Sequence, residues 1–137
     1  MTHAYMLDTD ICSYAIKGTY AVLNDAIRHH AGNLCMSAIT YHELQYGARK
    51  CGLRRIEASI AALAALVPVV GWESEAAEIT AAVRSDLEAR GMSIGVMDAL
   101  IAGAALAEEC TLVTNNTAHF SRITGLRIEN WVDELAN

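Results

Sequence analysis

The chain has 137 residues, 53% of them hydrophobic, with one proline and nine glycines, which allows a single domain, residues 1–137, with a substantial core. No stretch reaches the roughly 18 uninterrupted apolar residues of a membrane span, and Met1-Thr2-His3-Ala4 lacks the basic region and cleavage site of a signal peptide, so a cytoplasmic protein is expected. The formal net charge of -6 argues against a broad nucleic-acid-binding surface, although Arg49, Lys50, Arg54 and Arg55 bunch within seven positions.

In chain order, Ala4 to Leu7 is a short β-prone run that stops at Asp8-Thr9-Asp10, a strand entering a helix that Asp8 or Thr9 can cap. Helical patterns cover Thr9 to Ile16 and Tyr20 to His30, and Leu34 to Ser37 reads as a second strand. Ser37 or Thr40 can cap the next helix, which carries Glu43 and ends near Gly47 or Gly52. A helix from Leu53 to Leu66 leads to a strand over Val67 to Val70, where Pro68 points to a sheet edge or a strand start. Helices follow over Glu73 to Arg90, stopped by Gly91, and over Ile94 to Ala107. Thr111 to Thr114 is a strand, a short helix runs through His119 and Phe120, and a last strand lies near Leu126 to Glu129. Short strands alternating with helices predict an α/β fold with a mostly parallel sheet between helical layers. Cys12, Cys35, Cys51 and Cys110 form no C-x-x-C pair and are expected to be buried, reduced thiols rather than zinc ligands.

Three carboxylates break the apolar pattern. Asp8 ends the first strand, Glu43 lies among Ile39, Leu44 and Tyr46, and Asp98 is the only charged residue between Ile94 and Ala107. A desolvated carboxylate costs several kcal/mol unless it is paired or holds a metal. Asp98 has Ile94, Ile101 and Ala102 as its helical neighbours, no Lys or Arg within a turn, and on this reading a mid-helix place that rules out capping. Glu43 has a bland alternative in a tyrosine hydroxyl or Arg49, and Asp8 in an N-cap. Asp10 reads as a cap or a support. A site of carboxylates and water suits a hard cation, Mg2+ or Mn2+, and no twelve-residue calcium loop is present. Such a cation can acidify a water and offset charge on a phosphate oxygen, which is what phosphodiester hydrolysis requires.

The segments Met6-Leu7-Asp8-Thr9-Asp10-Ile11-Cys12, Ser37 to Ala48, and Ile94-Gly95-Val96-Met97-Asp98-Ala99-Leu100-Ile101-Ala102 together resemble the PIN-domain ribonucleases, and within them the VapC toxins of toxin–antitoxin pairs. Leu112 to Phe120, then Gly125-Leu126 and Trp131, continue the likeness in register over nearly the whole chain. The resemblance implies a PIN-like three-layer α/β/α sandwich, with Asp8, Glu43 and Asp98 as the metal-holding acids of a magnesium-dependent endoribonuclease. Many members place a fourth acid where this chain has Asn116, and some close relatives carry Glu at the position of His119. Neither acid is here, which favours one metal over two and leaves Asn116 to hold a water or a phosphate through its amide. The Thr-Asn-Asn-Thr wording is most similar to the enteric VapC branch, whose substrate is initiator tRNA cut in the anticodon loop. The family implies a homodimer and a VapB-type antitoxin able to place a basic side chain in the acidic site. Lys17, Arg49, Lys50, Arg54 and Arg55 are the candidates for guiding RNA.

Two rival readings differ in class. Asp8-Thr9-Asp10 also resembles the D-x-D opening of phosphatases in which the first Asp is a covalent nucleophile, but no Gly-Asp-x-x-x-Asp motif follows. The missing fourth acid also fits a PIN-like interaction module without activity, which magnesium binding would distinguish.

Overall fold

In the computed structural model, which describes residues 3–132, five strands and seven helices alternate. They are β1 (Tyr5–Leu7), α1 (Thr9–Lys17), α2 (Ala21–His29), β2 (Leu34–Ser37), α3 (Ala38–Cys51) and α4 (Arg54–Leu66), followed by β3 (Val69–Val70), α5 (Ser74–Ala89), α6 (Val96–Ala107), β4 (Thr111–Val113), α7 (Thr117–Phe120) and β5 (Ile128–Glu129). All five strands pair in parallel, in the order β3-β2-β1-β4-β5. The chain works outward from β1 to β3, then α5 and α6 carry it back to the other side of β1. The order therefore reverses between β1 and β4, and in an open α/β sheet a crevice forms beyond the strand ends at that reversal.

Side-chain alternation in the strands builds two core layers. Leu7, Leu34, Met36 and Val113 face one side, where α1 to α4 supply Ile11, Leu23, Leu44 and Ile60. Met6, Cys35 and Leu112 face the other, against Ile101 and Ala105 of α6, Leu87 of α5 and Phe120 of α7. Both faces being covered explains why the strands read as continuous apolar runs.

The expected caps are in place. The Asp8 carboxylate accepts from the Ile11 N–H and the Ser37 hydroxyl from the Ile39 N–H, while Gly52 closes α3 in the left-handed region at φ 71°. Pro68 precedes β3, which is an edge strand. Other expectations need correction. β3 and β5 are two residues each, shorter than the runs from Val67 and Leu126. Cys51 is exposed at the end of α3, unlike the three buried cysteines. Helix α6 starts at Val96 rather than Ile94, with Gly95 at its N-cap, so Asp98 is in the first turn and half-buried.

Helices α5 and α6 meet at a glycine. A Cβ on Gly103 would overlap the Thr80 hydroxyl and come within 2.9 Å of the Thr80 Cβ and 3.1 Å of the Ala76 carbonyl oxygen. The Thr80 Cβ and a backbone oxygen are among the obstacles, so rotation of the Thr80 hydroxyl relieves only part of the clash. Gly103→Ala should therefore lower stability by about 1–2 kcal/mol, overpacking outweighing the gain in helix propensity. Thermal melts check this, with Thr80→Ala in the Gly103→Ala background expected to restore part of the loss.

Candidate active site

Four segments converge at the C-terminal edge of the sheet. Asp8 directly follows β1, and its backbone N–H donates to the Val113 carbonyl of β4 at 3.0 Å, so the two strand ends are tied together. Asp8 is 4% exposed. One of its oxygens accepts from the Ile11 N–H at 2.9 Å, and the Thr114 hydroxyl also bonds to the carboxylate. Thr114 in turn accepts from the Asn116 N–H at 2.9 Å. One hydroxyl thus links the first acid to the turn that carries Asn116.

Asp98 reaches the crevice from the first turn of α6, where the free N–H groups of the helix favour a negative charge. His119 of α7 faces it, with Nδ1 4.0 Å from Asp98 Oδ2. The Asn116 amide nitrogen lies 2.9 Å from the same Nδ1 and donates to it when that nitrogen is unprotonated. His119 therefore stands on the wall of the site, beside Asp98 and Asn116.

Glu43 comes from the second turn of α3. Neither a tyrosine nor Arg49 satisfies it. The Thr9 hydroxyl donates to Glu43 Oε1 at 2.5 Å and lies 3.2 Å from the Thr40 hydroxyl. Thr9, the residue after Asp8, thus ties Glu43 of α3 to the start of α1. Asp10 is exposed in the first turn of α1 and caps nothing; Asp8 is the cap.

The electrostatics match a cluster of like charges. Burial pushes the Asp8 carboxyl up from 3.8 to about 6, against the lowering effect of Thr114 and Ile11, while Asp10 and Asp98 push it further up. Asp98 is also raised, chiefly by burial and then by Asp10, with His119 opposing. Among the described residues no Lys or Arg forms an ion pair with Asp8, Glu43 or Asp98. Nor, among those residues, do three acidic, His or Cys side chains close into a ready-made metal cage. Asp8 and Asp98 share one crevice with Asn116 and His119, and Glu43 stands beside it across Thr9. Hard oxygen donors with uncompensated charge are nonetheless the donor set that a divalent cation of the magnesium type selects, and the residues present fit it.

A groove of about 750 Å3 opens from this point between α1, α3 and α4, with Thr9, Asp10 and Glu43 at one end and Leu44, Ile56 and Ile60 along it. Lys17 and Arg55 also line it. A smaller hollow of about 270 Å3 between α1, α2 and α4 lacks acids and does not touch the site.

Comparison with known proteins adds an independent finding. Residues 5–126 match the PIN domain. A tRNA(fMet)-specific endonuclease VapC from Shigella flexneri is 37% identical over 128 residues, spanning 93% of this chain and 97% of that protein. Its counterpart from Salmonella typhimurium is 34% identical over the same shares. Among solved structures, the VapBC2 complex of Rickettsia felis bound to a promoter DNA fragment contains a chain that superposes with a TM-score of 0.88 at 34% identity, covering 93% of this chain and 98% of that one. A chain of the DNA-bound VapBC complex of Salmonella typhimurium gives 0.84 at 33% identity, covering 94% of this chain and 98% of its own length.

Proposed function

This chain belongs to the PIN-domain family and, within it, to the VapC ribonucleases, and on that premise we propose that it is the toxin of a type II toxin–antitoxin pair, a magnesium-dependent endoribonuclease of the cytoplasm. The observation that carries this reading is the meeting of Asp8 and Asp98, with Glu43 tied to Thr9 beside them, at the strand-order reversal, with no Lys or Arg paired to any of the three among the described residues. The whole chain acts as one PIN domain. Among the described residues no helix is long and apolar enough to cross a membrane.

Asp8, Glu43 and Asp98 would hold the Mg2+ ion, with Mn2+ as a substitute. Bound there, it supplies Lewis acidity that acidifies a water and offsets charge on a phosphate oxygen. The protein's own groups do the rest. Asp8 is fixed by the α1 N-terminus and Thr114, so its carboxylate cannot swing away from the crevice. Asp98 is half-buried on the wall it shares with His119, where its carboxylate can accept a hydrogen bond from the attacking water and orient it. The Asn116 amide and His119 imidazole line the same wall and offer donors to a phosphodiester oxygen.

The relatives from Shigella flexneri and Salmonella typhimurium point to initiator tRNA as the substrate; a cut in its anticodon loop is our reading from the family resemblance. The VapBC complexes point to a VapB-type antitoxin, for which the groove between α1, α3 and α4 offers an apolar floor ending at acids that a basic side chain would neutralise. The active form is a homodimer, in which two basic patches would share one groove. Inducing the chain without its antitoxin and sequencing the new RNA ends should show cuts confined to the anticodon loop of initiator tRNA. An unchanged set of ends would sink the ribonuclease reading.

A further inference from the structure

The outer face of α3 carries a ladder of side chains that neither the core nor the carboxylate site uses. His42, Tyr46 and Lys50 follow one another at four-residue spacing, which puts them in one row along the helix. The rings of His42 and Tyr46 lie 19° from parallel with centroids 6.4 Å apart, and Lys50 Nζ stands 5.4 Å from the Tyr46 centroid. All three are exposed, Tyr46 at 59%. Glu43 sits in the same helix next to His42 and less than one turn before Tyr46, so the ladder begins at the rim of the site.

We propose that this ladder is a binding platform for a single-stranded segment of the RNA substrate, with a base stacked on Tyr46 beside His42 and with Lys50 and Arg49 meeting the adjoining phosphates. The inference rests on the ribonuclease reading and adds the residues that seat the strand. Three observations favour RNA over a protein partner. The ring's immediate company on this face is polar and cationic, whereas a protein-docking tyrosine is normally set in an apolar pocket. Four of the chain's ten Lys and Arg residues fall between Arg49 and Arg55, so the one concentrated basic segment of an acidic protein continues directly from the ladder. An open aromatic face combined with cations is what unpaired nucleotides require, since every base offers a stacking surface.

Binding of a short fluorescein-labelled single-stranded RNA, read by fluorescence anisotropy in magnesium with the Asp98→Asn protein, tests the platform without cleavage. Tyr46→Ala should raise Kd about tenfold or more, Tyr46→Phe should stay within about threefold of the parent, and Lys50→Ala should flatten the salt dependence of log Kd by about 0.7. A 5-iodouridine version of the same RNA should photocross-link to Tyr46. An unchanged Kd for Tyr46→Ala, or a Tyr46→Phe as weak as Tyr46→Ala, overturns the proposal. So does a Tyr46→Ala protein that loses only antitoxin binding or only self-association, which would make the ladder a protein contact. A wild-type chain that cuts no RNA overturns the ribonuclease reading instead, and the affinity ratios are measured independently of that result.

Discussion

Asp98→Asn should lower RNA cleavage by at least about a hundredfold, the scale on which an enzyme loses rate when a principal electrostatic group at the reacting centre is removed. The same substitution should leave the metal-free protein as stable as the parent or more so. Its carboxyl is raised by burial and by Asp10, so the charge opposes folding in the absence of a cation. The α6 N-terminus works the other way, favouring a negative charge by about 0.3–1 kcal/mol. We expect burial and Asp10 to outweigh it. Asparagine keeps the shape and removes the repulsion. The combination of lost rate with retained stability separates a charge that serves chemistry from one that serves the fold. Cleavage by Asp98→Asn at the parent rate would refute the assignment of this residue, and a protein that fails to melt cooperatively would show that the charge is structural.

The carboxylates were legible in the sequence because each is locally out of place, and the strands because their runs are short and bounded. Asp8 at the end of an apolar strand announces both a cap and a sheet-edge position, and the structure shows both. What links the acids was not legible. The Thr9 hydroxyl on Glu43 spans 34 residues, and the approach of His119 to Asp98 depends on α7 folding back over the end of β4. Nothing local in Thr9, Thr114 or His119 signals those contacts, although all three fall within the family-like segments. The start of α6 was misplaced because Gly95 supplies no capping side chain, and the apolar pattern runs through Ile94 without a break. The strand order was also hidden. Alternating elements predict parallel βα units, but only the packing of α5 and α6 on the second face of the sheet returns the chain to β4 beside β1. That reversal makes the crevice, so the acids could be read locally while the reason they meet lies in the topology.

Asp8→Asn should stabilise the metal-free protein at pH 7 by up to about 3 kcal/mol, the free-energy equivalent of a carboxyl moved from 3.8 to about 6. The sign follows from proton linkage. Between these two values the folded chain holds a proton on Asp8 that the unfolded chain has released, so stability falls as pH rises. Below about pH 4 both states are protonated and the penalty is absent; above about pH 6 it is fully present. Asparagine can accept the Ile11 N–H as aspartate does and is an equally good N-cap, so α1 keeps its start and only the charge is lost. Melting curves in chelator should therefore show the parent losing stability from pH 4 to pH 6 and the Asp8→Asn protein losing much less. Adding magnesium at pH 7 should raise the parent's Tm, because a ligand that binds only the folded state stabilises it, and should raise the variant's far less. Parallel pH profiles for the two proteins would mean that Asp8 is not the group under strain. A magnesium response that survives Asp8→Asn unchanged would mean that the cation sits elsewhere. The buried charge that weakens the empty fold is thus the same one that makes a cation welcome.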